Sequence, residues 1–315
     1  MFLIAGASSA VGREVVEKLV SRQAPVRVLV RGDADAERYR ALGVEVAQGD
    51  VRDAQAVAAA CRGARTVISL VGRHFARTET GLWEVDAEGN CNLIRAAAEA
   101  GADRFVLLSV LWADRDLPPV IFRAKRQAED ALLASGLAYT ILRPSTFVTG
   151  PNSLVGMMGP TIERWGVAFV PAPDSRPISF IDAGDVSDAV VAAALHDGSQ
   201  NRVYDLGGPE RLTLAEGARR VGQALGRPVR ILRLPRLGIR AVRPLAKRLG
   251  FGPYEAALML EMMAEHGFDC DAAPARELLG RELTPVDTAI RAYYAGRRQT
   301  AWRDSLFGTL LLRAV

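Results

Sequence analysis

The sequence has few of the residues from which disulfide frameworks and metal sites are built. Among 315 residues there are three cysteines and three histidines, and neither set shows a paired spacing. Disulfide-rich domains and zinc sites need closely and regularly spaced ligands. We therefore expect no metal site, and we expect Cys61, Cys91 and Cys270 to be ordinary small core residues in a reducing compartment.

Long apolar runs and a strong charge imbalance are also missing. Hydrophobic residues make up 49% of the chain, but no run approaches the length of a membrane-spanning helix. The formal net charge is only +4 and the arginines are spread throughout, which argues against nucleic-acid binding. The opening MFLIA is too short for a signal peptide. These features predict a cytoplasmic protein with a small-molecule substrate, and both a monomer and an oligomer fit them.

The most informative residues are the first twelve, MFLIAGASSAVG. The apolar run predicts a buried strand over residues 2–5, and the periodicity that follows predicts an amphipathic helix over 11–22. A strand that turns directly into a helix directs backbone N–H groups and the positive helix end toward one point. Such a turn suits a phosphate group, although a strand, turn and helix that bind nothing remain the alternative.

Glycines and serines in this turn support the phosphate interpretation. Gly6 permits the tight turn, and Gly12 lets the helix pack closely on the strand. The usual middle glycine of the motif is replaced by Ser9, which is still small enough for close approach of a pyrophosphate. The hydroxyls of Ser8 and Ser9 are candidate donors to it.

The end of the second predicted strand, residues 26–32, bears on the choice of cofactor. In a nucleotide-binding fold this position lies beside the adenosine ribose, where an acid suits NAD and a cation suits the 2′-phosphate of NADP. The residue here is Arg31, with Arg13 as a second cation at the start of the first helix. The sequence therefore predicts a preference for NADP(H), while Asp33 and Asp35 keep NAD(H) open.

The remaining pattern predicts an α/β fold with a doubly wound parallel sheet and a mostly helical C-terminal part. Alternating strands and helices continue to about residue 150, after which glycine and proline punctuate the chain. We expect one domain over 1–150, a smaller lobe over 151–295 whose segment 177–208 returns to the sheet, and a basic, apolar tail over 296–315.

Several blocks, in the same order along the chain, resemble the NmrA-like, or atypical, short-chain dehydrogenase/reductases. They are GASSAVGREVV, VRVLVRG, QGDVRD, RAKRQAEDALLASGLAYTILRPSTFVTG, ISFIDAGDVSDAVVAAAL and VYDLGGPERLTLAEGARRVGQALG. The resemblance covers roughly residues 1–295. It implies that residues 1–150 form a Rossmann domain with a doubly wound parallel sheet, that residues 151–295 form a smaller, mostly helical C-terminal substrate lobe, and that NAD(P)(H) binds across the strand ends. The positions expected to contact the cofactor are Gly6, Ser8, Ser9, Val11, Gly12, Arg31, Asp50, Val51, Val71, Gly72, Lys125, Pro144 and Phe147.

The resemblance also identifies catalytic candidates and one departure. Ordinary members use Tyr-x-x-x-Lys, in which the tyrosine passes the proton. The matching lysine is Lys125, but the tyrosine position holds Ile121, and Tyr139 stands outside the helical spacing. In the isoflavone-type branch the lysine itself is the proposed acid and base. Lys125 and Ser109 are therefore the catalytic candidates, unless Lys125 is only a solvated helix residue and Ser109 only caps a strand end.

Two functions fit these observations. The first is an NADPH-dependent reductase acting on a conjugated carbonyl or quinone-like molecule. The second is an NADP(H)-binding redox sensor, or an assembly or accessory protein of a respiratory complex, without turnover. The tail over 296–315 is a candidate for peripheral membrane or quinone contact, although packing on the protein's own body or on a second subunit is the alternative.

Overall fold

The structure is a computed structural model that describes residues 1–72, 78–150 and 153–296. Its strands and helices alternate in the first half of the chain. The strands there are β1 (Phe2–Ala5), β2 (Val26–Val30), β3 (Glu45–Gln48), β4 (Thr66–Ser69), β5 (Arg104–Leu108) and β6 (Ala138–Pro144). The helices are α1 (Ala10–Val20), α2 (Asp33–Ala41), α3 (Ala54–Cys61), α4 (Glu79–Trp83), α5 (Asn90–Glu99) and α6 (Val120–Leu133), with a π-helix over Glu84–Gly89.

Helices dominate the second half. The strands are β7 (Val167–Ala172), β8 (Ile178–Phe180), β9 (Arg202–Leu206), β10 (Glu210–Leu212) and β11 (Arg230–Pro235). The helices are α7 (Leu154–Trp165), α8 (Ala183–Leu195), α9 (Leu214–Ala224), α10 (Arg236–Leu249), α11 (Phe251–His266), α12 (Ala273–Leu279) and α13 (Val286–Gly296), with a 3-10 turn over Asp197–Ser199.

The chain forms two compact units, of which the first contains residues Met1–Arg143 and Val186–Tyr204. Its seven-stranded sheet has the order β3-β2-β1-β4-β5-β6-β9. The strand pairings from β3 through β6 are all parallel, for example Leu3 opposite Arg27 on one side and Val67 on the other. The chain leaves β1 in one direction and returns to its other side at β4. This is the doubly wound Rossmann arrangement, and the predicted fold class is confirmed.

Strand composition explains why this sheet is buried on both faces. The strands are short apolar runs such as FLIA and VRVLV, and Leu3, Ile4 and Ala5 have no exposed surface. Helix α1 covers one face with a stripe of small and branched side chains, because Val15, Val16 and Leu19 recur at helical spacing and are fully buried.

The sequence TGLWEVDAEGNCNLIRAAAEAG predicts one long helix over 80–101, but the structure interrupts it with a π-helix. The Asn90 side-chain amide donates to the Asp86 backbone carbonyl at 2.8 Å, within the stretch of wider winding. Single π turns inside α-helices are frequent at functional sites. Sequence periodicity predicted the helix but not this interruption, because one extra residue in a turn scarcely changes the apolar stripe.

The second unit contains Pro144–Asp185 and the residues from Asp205 onward. Two small sheets accompany its helices: β8 pairs antiparallel with β10, and β7 pairs parallel with β11. The sequence LTLAEGARRVGQALG predicts a helix capped by Thr213, and the structure has this cap as a capping box with Glu216. Strands β7 and β11 were not predicted, because VAFVPA and RILRLP contain prolines and arginines that weaken the strand pattern.

The described residues contain neither a candidate membrane span nor a candidate metal cluster. None of their helices is both long enough and apolar enough to span a bilayer. Within the same part of the chain, no group of three or more histidine, cysteine, aspartate or glutamate side chains could hold a metal ion.

Candidate active site

The turn after β1 requires glycine at two positions. Gly6 has φ of +86°, and a Cβ there would lie 2.6 Å from the carbonyl carbon and oxygen of Leu70. A Cβ on Gly12 would lie only 2.3 Å from the Gly6 carbonyl oxygen. Both contacts are with backbone, which cannot rotate away. The turn therefore brings the start of α1 against the end of β1 more closely than any side chain would allow.

The two serines of the turn are engaged in local hydrogen bonds. Ser9 caps α1: its hydroxyl accepts from the Gly12 N–H and donates to the Gly6 carbonyl, both at 2.9 Å. Ser8 donates to Asp35 at 2.6 Å. Val11, also expected at the cofactor, is 8% exposed in the first turn. The first N–H groups of a helix have no partners within the helix, so the start of α1 can receive an anion through its backbone.

Arg31 follows β2 and presents its guanidinium to solvent. Its side chain is 59% exposed, and Nη1 lies 3.6 Å from Asp50 Oδ2. Asp50 is held more firmly by Arg52, whose guanidinium and backbone N–H donate to it at 3.0 Å. The side-chain hydrogen bond from Arg52 lowers the pKa of Asp50 to about 2. Arg31 is thus a loosely paired cation beside the carboxyl end of the sheet.

Two further carboxylates lie near this edge. Asp35 is 3.9 Å from Arg13 Nη2, and Asp33 accepts from the Gln48 amide at 2.7 Å. Acids and cations are therefore interleaved beside the turn. This mixture is compatible with either ribose hydroxyls or a 2′-phosphate, so the choice between NAD(H) and NADP(H) stays a prediction.

Lys125 is buried at the carboxyl ends of strands β4 and β5. Its side chain is 3% exposed, and Nζ donates to the carbonyls of Val71 at 2.6 Å and Leu108 at 3.3 Å. The Asp86 carboxylate, fully buried, lies 3.4 Å from the same nitrogen. The alternative that Lys125 is a solvated helix residue is therefore wrong. Its neighbours are two carbonyl oxygens and a carboxylate, all of which attract an ammonium group.

Gly72 lies directly against Lys125 and Asp86. A Cβ at Gly72 would lie 3.0 Å from Asp86 Oδ1 and 3.2 Å from Lys125 Nζ. Glycine is also required next door, since a Cβ on Gly89 would lie 2.6 Å from the Val51 side chain. Both Val51 and Gly72 were expected near the cofactor, and the structure brings Gly72 and Val71 directly to Lys125.

Asp86 and Asn90 were not predicted from the sequence. Both are fully buried, and Asn90 accepts from the Ser69 hydroxyl at 2.5 Å while its amide donates to Asp86. They occupy the same helical stripe as Leu82 and Leu93, which are also buried. Polar residues that interrupt an apolar stripe are the signal that could have identified them, because buried polar groups need specific partners.

The tyrosine position of the family motif faces the core. Ile121 is 3% exposed and Phe122 is fully buried, so neither presents a proton donor to solvent. Tyr139 is the second residue of β6, near its amino end. Lys125, by contrast, reaches the carboxyl ends of β4 and β5. Tyr139 therefore lies toward the amino ends of the parallel strands, whereas Lys125 lies at their carboxyl ends.

Ser109 belongs to a buried charged network. Its hydroxyl donates to Glu129 at 2.5 Å, and Glu129 receives two further hydrogen bonds from Arg143. Arg143 also donates to Asp114 at 2.8 Å. The hydroxyl proton expected near the nicotinamide is thus directed to a carboxylate, which agrees with the alternative that Ser109 is structural.

Pro144 and Phe147 lie in the second unit. Pro144 is the last residue of β6, and Phe147 forms an isolated parallel bridge with Ile181. Their expected contact with the cofactor stays a prediction. His74, in the loop after β4, and the tail beyond Gly296 lie outside the described residues.

Comparisons with known proteins show the family to which the chain belongs. Residues 6–172 match a family model described as NAD(P)H-binding. The chain is 33% identical over 289 residues to (4-alkanoyl-5-oxo-2,5-dihydrofuran-3-yl)methyl phosphate reductase of Streptomyces griseus, covering 90% of this chain and 95% of that one. It is 32% identical to the NAD(P)H azoreductase of Xenophilus azovorans, covering 73% and 76%. The fold matches an NADPH-dependent quinone oxidoreductase of Escherichia coli complexed with NADPH, with TM-score 0.78, 22% identity and coverage of 93% and 100%.

Proposed function

The chain belongs to the NAD(P)H-binding, NmrA-like atypical short-chain dehydrogenase/reductases, and from that premise we propose that it is an NADPH-dependent reductase of a small conjugated carbonyl or quinone-like molecule. Two relatives above 30% identity are named as reductases, one of an unsaturated lactone bearing a phosphate ester and one of azo compounds. Both names describe conjugated, electron-poor acceptors of hydride. A substrate of the same electronic type is the simplest inference for this chain.

The residues of the first unit fit a dinucleotide. The turn from Gly6 to Gly12 would offer the first backbone N–H groups of α1 to a pyrophosphate, although the Gly12 N–H already donates to the Ser9 hydroxyl. Arg31, exposed and only loosely paired, supports NADPH over NADH because a guanidinium can bind a phosphate through two charge-assisted hydrogen bonds. Bound cofactor would supply the hydride.

Lys125 is our candidate for the proton. Its ammonium group is oriented by the carbonyls of Val71 and Leu108, and Asp86 supplies the opposite charge that a buried cation needs. From that position it would hold ribose hydroxyls and deliver a proton to the reduced substrate, either directly or through a bound water. General acid catalysis by one positioned group contributes about 10²–10⁴-fold. Because the Ser109 hydroxyl is directed to Glu129, Ser109 receives no proton-transfer role.

The observation that carries the proposal is the buried Lys125, which lies against Gly72 at the carboxyl ends of β4 and β5. NADPH absorbance should be followed against quinones, enones and azo dyes, first with wild type and then with three variants. Lys125→Ala should lose about 10²-fold or more in kcat, and Lys125→Arg should retain cofactor affinity but not turnover. Arg126→Ala, on the exposed face of the same helix, is the matched control and should change neither. A Lys125→Ala variant with near-normal kcat would refute the role.

One observation favours a second candidate, a nucleotide-binding regulator or accessory protein without turnover. The position of the catalytic tyrosine is filled by Ile121, packed in the core and unable to transfer a proton. This candidate predicts NADPH binding by calorimetry without NADPH consumption against any acceptor in the panel. Consumption that depends on Lys125 would exclude it.

A further inference from the structure

Helix α10 displays the most exposed large hydrophobic side chains of the described chain. Leu237, Leu245 and Leu249 are 78%, 57% and 64% exposed, the three highest values among the large hydrophobic residues that the structure describes. Single exposed leucines are ordinary, but three on one helix of 14 residues are not. The arrangement indicates a surface that contacts something apolar.

The three leucines share one face of the helix. Leu245 follows Leu237 by eight residues and Leu249 follows by four more, so the three lie on the same side of an α-helix. Ala241, four residues after Leu237, is exposed on this side as well. Ile239, on the opposite face, is 4% exposed. The leucines therefore point away from the body of the second unit, to which the helix is already attached by its other side.

That attachment uses part of the positive charge of α10. Arg240 and Arg243 both pair with Glu261, and Arg236 pairs with Glu265 at 2.8 Å, the two glutamates being on α11. The helix needs no further partner on that side. Its exposed apolar face and its remaining cations are available to a second surface.

The charge of this segment is strongly one-sided. Residues 227–249 include eight lysines and arginines and no aspartate or glutamate, in a chain whose formal net charge is +4. Within the part of the chain that the structure describes, Lys247 and Arg248 form no ion pair with a carboxylate. Lys247 lies 5.9 Å from the Tyr254 ring. The leucine face is thus bordered by cations whose charge is not neutralised.

Charge complementarity distinguishes the occupants of this face. A second copy would bring cations against cations. The chain's own segment 297–315 has four arginines and one aspartate, and would repel the face in the same way. An anionic lipid surface complements both features, since leucines enter the acyl boundary while lysine and arginine meet the headgroups. We propose that α10 is an interfacial helix that docks the protein on anionic membranes.

The test is co-sedimentation of the full-length protein with vesicles of phosphatidylcholine containing phosphatidylglycerol, compared with pure phosphatidylcholine. Wild type should bind the anionic vesicles preferentially and dissociate in high salt. Replacing the leucines together (Leu237→Ser, Leu245→Ser, Leu249→Ser) should weaken binding at least about tenfold, because burial of leucine contributes most of the apolar attraction. The pair Lys247→Glu and Arg248→Glu should weaken it by about fivefold or more per residue.

A matched triple variant on the first unit, Leu42→Ser, Leu133→Ser and Leu195→Ser, removes leucines that are 47%, 50% and 41% exposed and should bind as wild type does. Circular dichroism and NADPH affinity check that each variant is folded. Failure of wild type to bind anionic vesicles would overturn the proposal, as would binding that the α10 variants leave unchanged. Sedimentation that shows a wild-type oligomer dissociated by the leucine variant, without lipid binding, would reassign the face to self-association.

Discussion

Replacing Lys125 and Asp86 one at a time should cost more stability, summed over the two single variants, than replacing both together. The two side chains are 3% and 0% exposed, and their charged atoms are 3.4 Å apart. Lys125→Met leaves a buried carboxylate and removes the donor from two carbonyls. Asp86→Asn leaves a buried ammonium group that keeps only those carbonyls. Each single change therefore removes the opposite charge of the ion pair from a buried group.

Breaking a buried ion pair by removing one partner costs about 3–5 kcal/mol, whereas removing both is often close to neutral. Asp86→Asn should fall at the lower end of that range, because Val71 and Leu108 still accept from Lys125. Lys125→Met should fall at the upper end. The double variant still leaves the carbonyls of Val71 and Leu108 without their donor, so it should cost about 4–6 kcal/mol. The coupling free energy from the double-mutant cycle, the sum of the single costs minus the cost of the double variant, should then be about 2–4 kcal/mol.

The control is a surface pair with a shorter distance. Lys18 and Asp188 are 2.6 Å apart, but their side chains are 28% and 32% exposed. If distance dominated, this pair would couple more strongly than Lys125 and Asp86. Because solvent screens exposed charges, its coupling should stay below about 1 kcal/mol.

Urea unfolding of the four proteins of each cycle, followed by circular dichroism, measures both couplings, provided that the slope with denaturant stays constant. A buried coupling no larger than that of the surface pair would refute the reasoning. So would an Asp86→Asn variant as stable as wild type. Either result would mean that solvent reaches Lys125 well enough to replace the carboxylate.

Three other predictions concern residues at the carboxyl ends of the strands, where we expect the cofactor to bind. Gly12→Ala should destabilise by about 1–3 kcal/mol and abolish dinucleotide binding in calorimetry, because its Cβ would meet the backbone 2.3 Å away; Gly32→Ala, with nothing within 4 Å, should do neither. Arg31→Ala should lower NADPH affinity about tenfold or more and leave NADH affinity unchanged, and equal effects on both cofactors would contradict a phosphate contact. Asp50 has its pKa lowered from 3.8 to about 2, chiefly by the side-chain hydrogen bond from Arg52, so its charge stabilises the fold above about pH 4, and this is lost as pH falls toward 2. Asp50→Asn should cost about 1–2 kcal/mol at pH 7 and nothing near pH 2 in urea unfolding at each pH; a difference independent of pH would refute this.

Local sequence was enough to predict the sheet and the turn. An apolar run, a glycine with positive φ and an amphipathic helix are dictated by residues close in the chain, and the structure has β1, Gly6 and α1 within one or two residues of the predicted positions. Resemblance located Lys125 by its spacing on α6. The same spacing places Ile121 at the tyrosine position, and an isoleucine side chain cannot donate a proton.

Only the tertiary structure decided what surrounds those residues. Asp86 meets Lys125 because α6 packs beside the π-helix, and Ser109 turns to Glu129 because β5 ends next to that buried carboxylate. Neither partner is near in sequence, so no periodicity records the contact. Burial and the nearest charged partner therefore set what Lys125 and Ser109 can do. Position in the chain alone specifies neither of them.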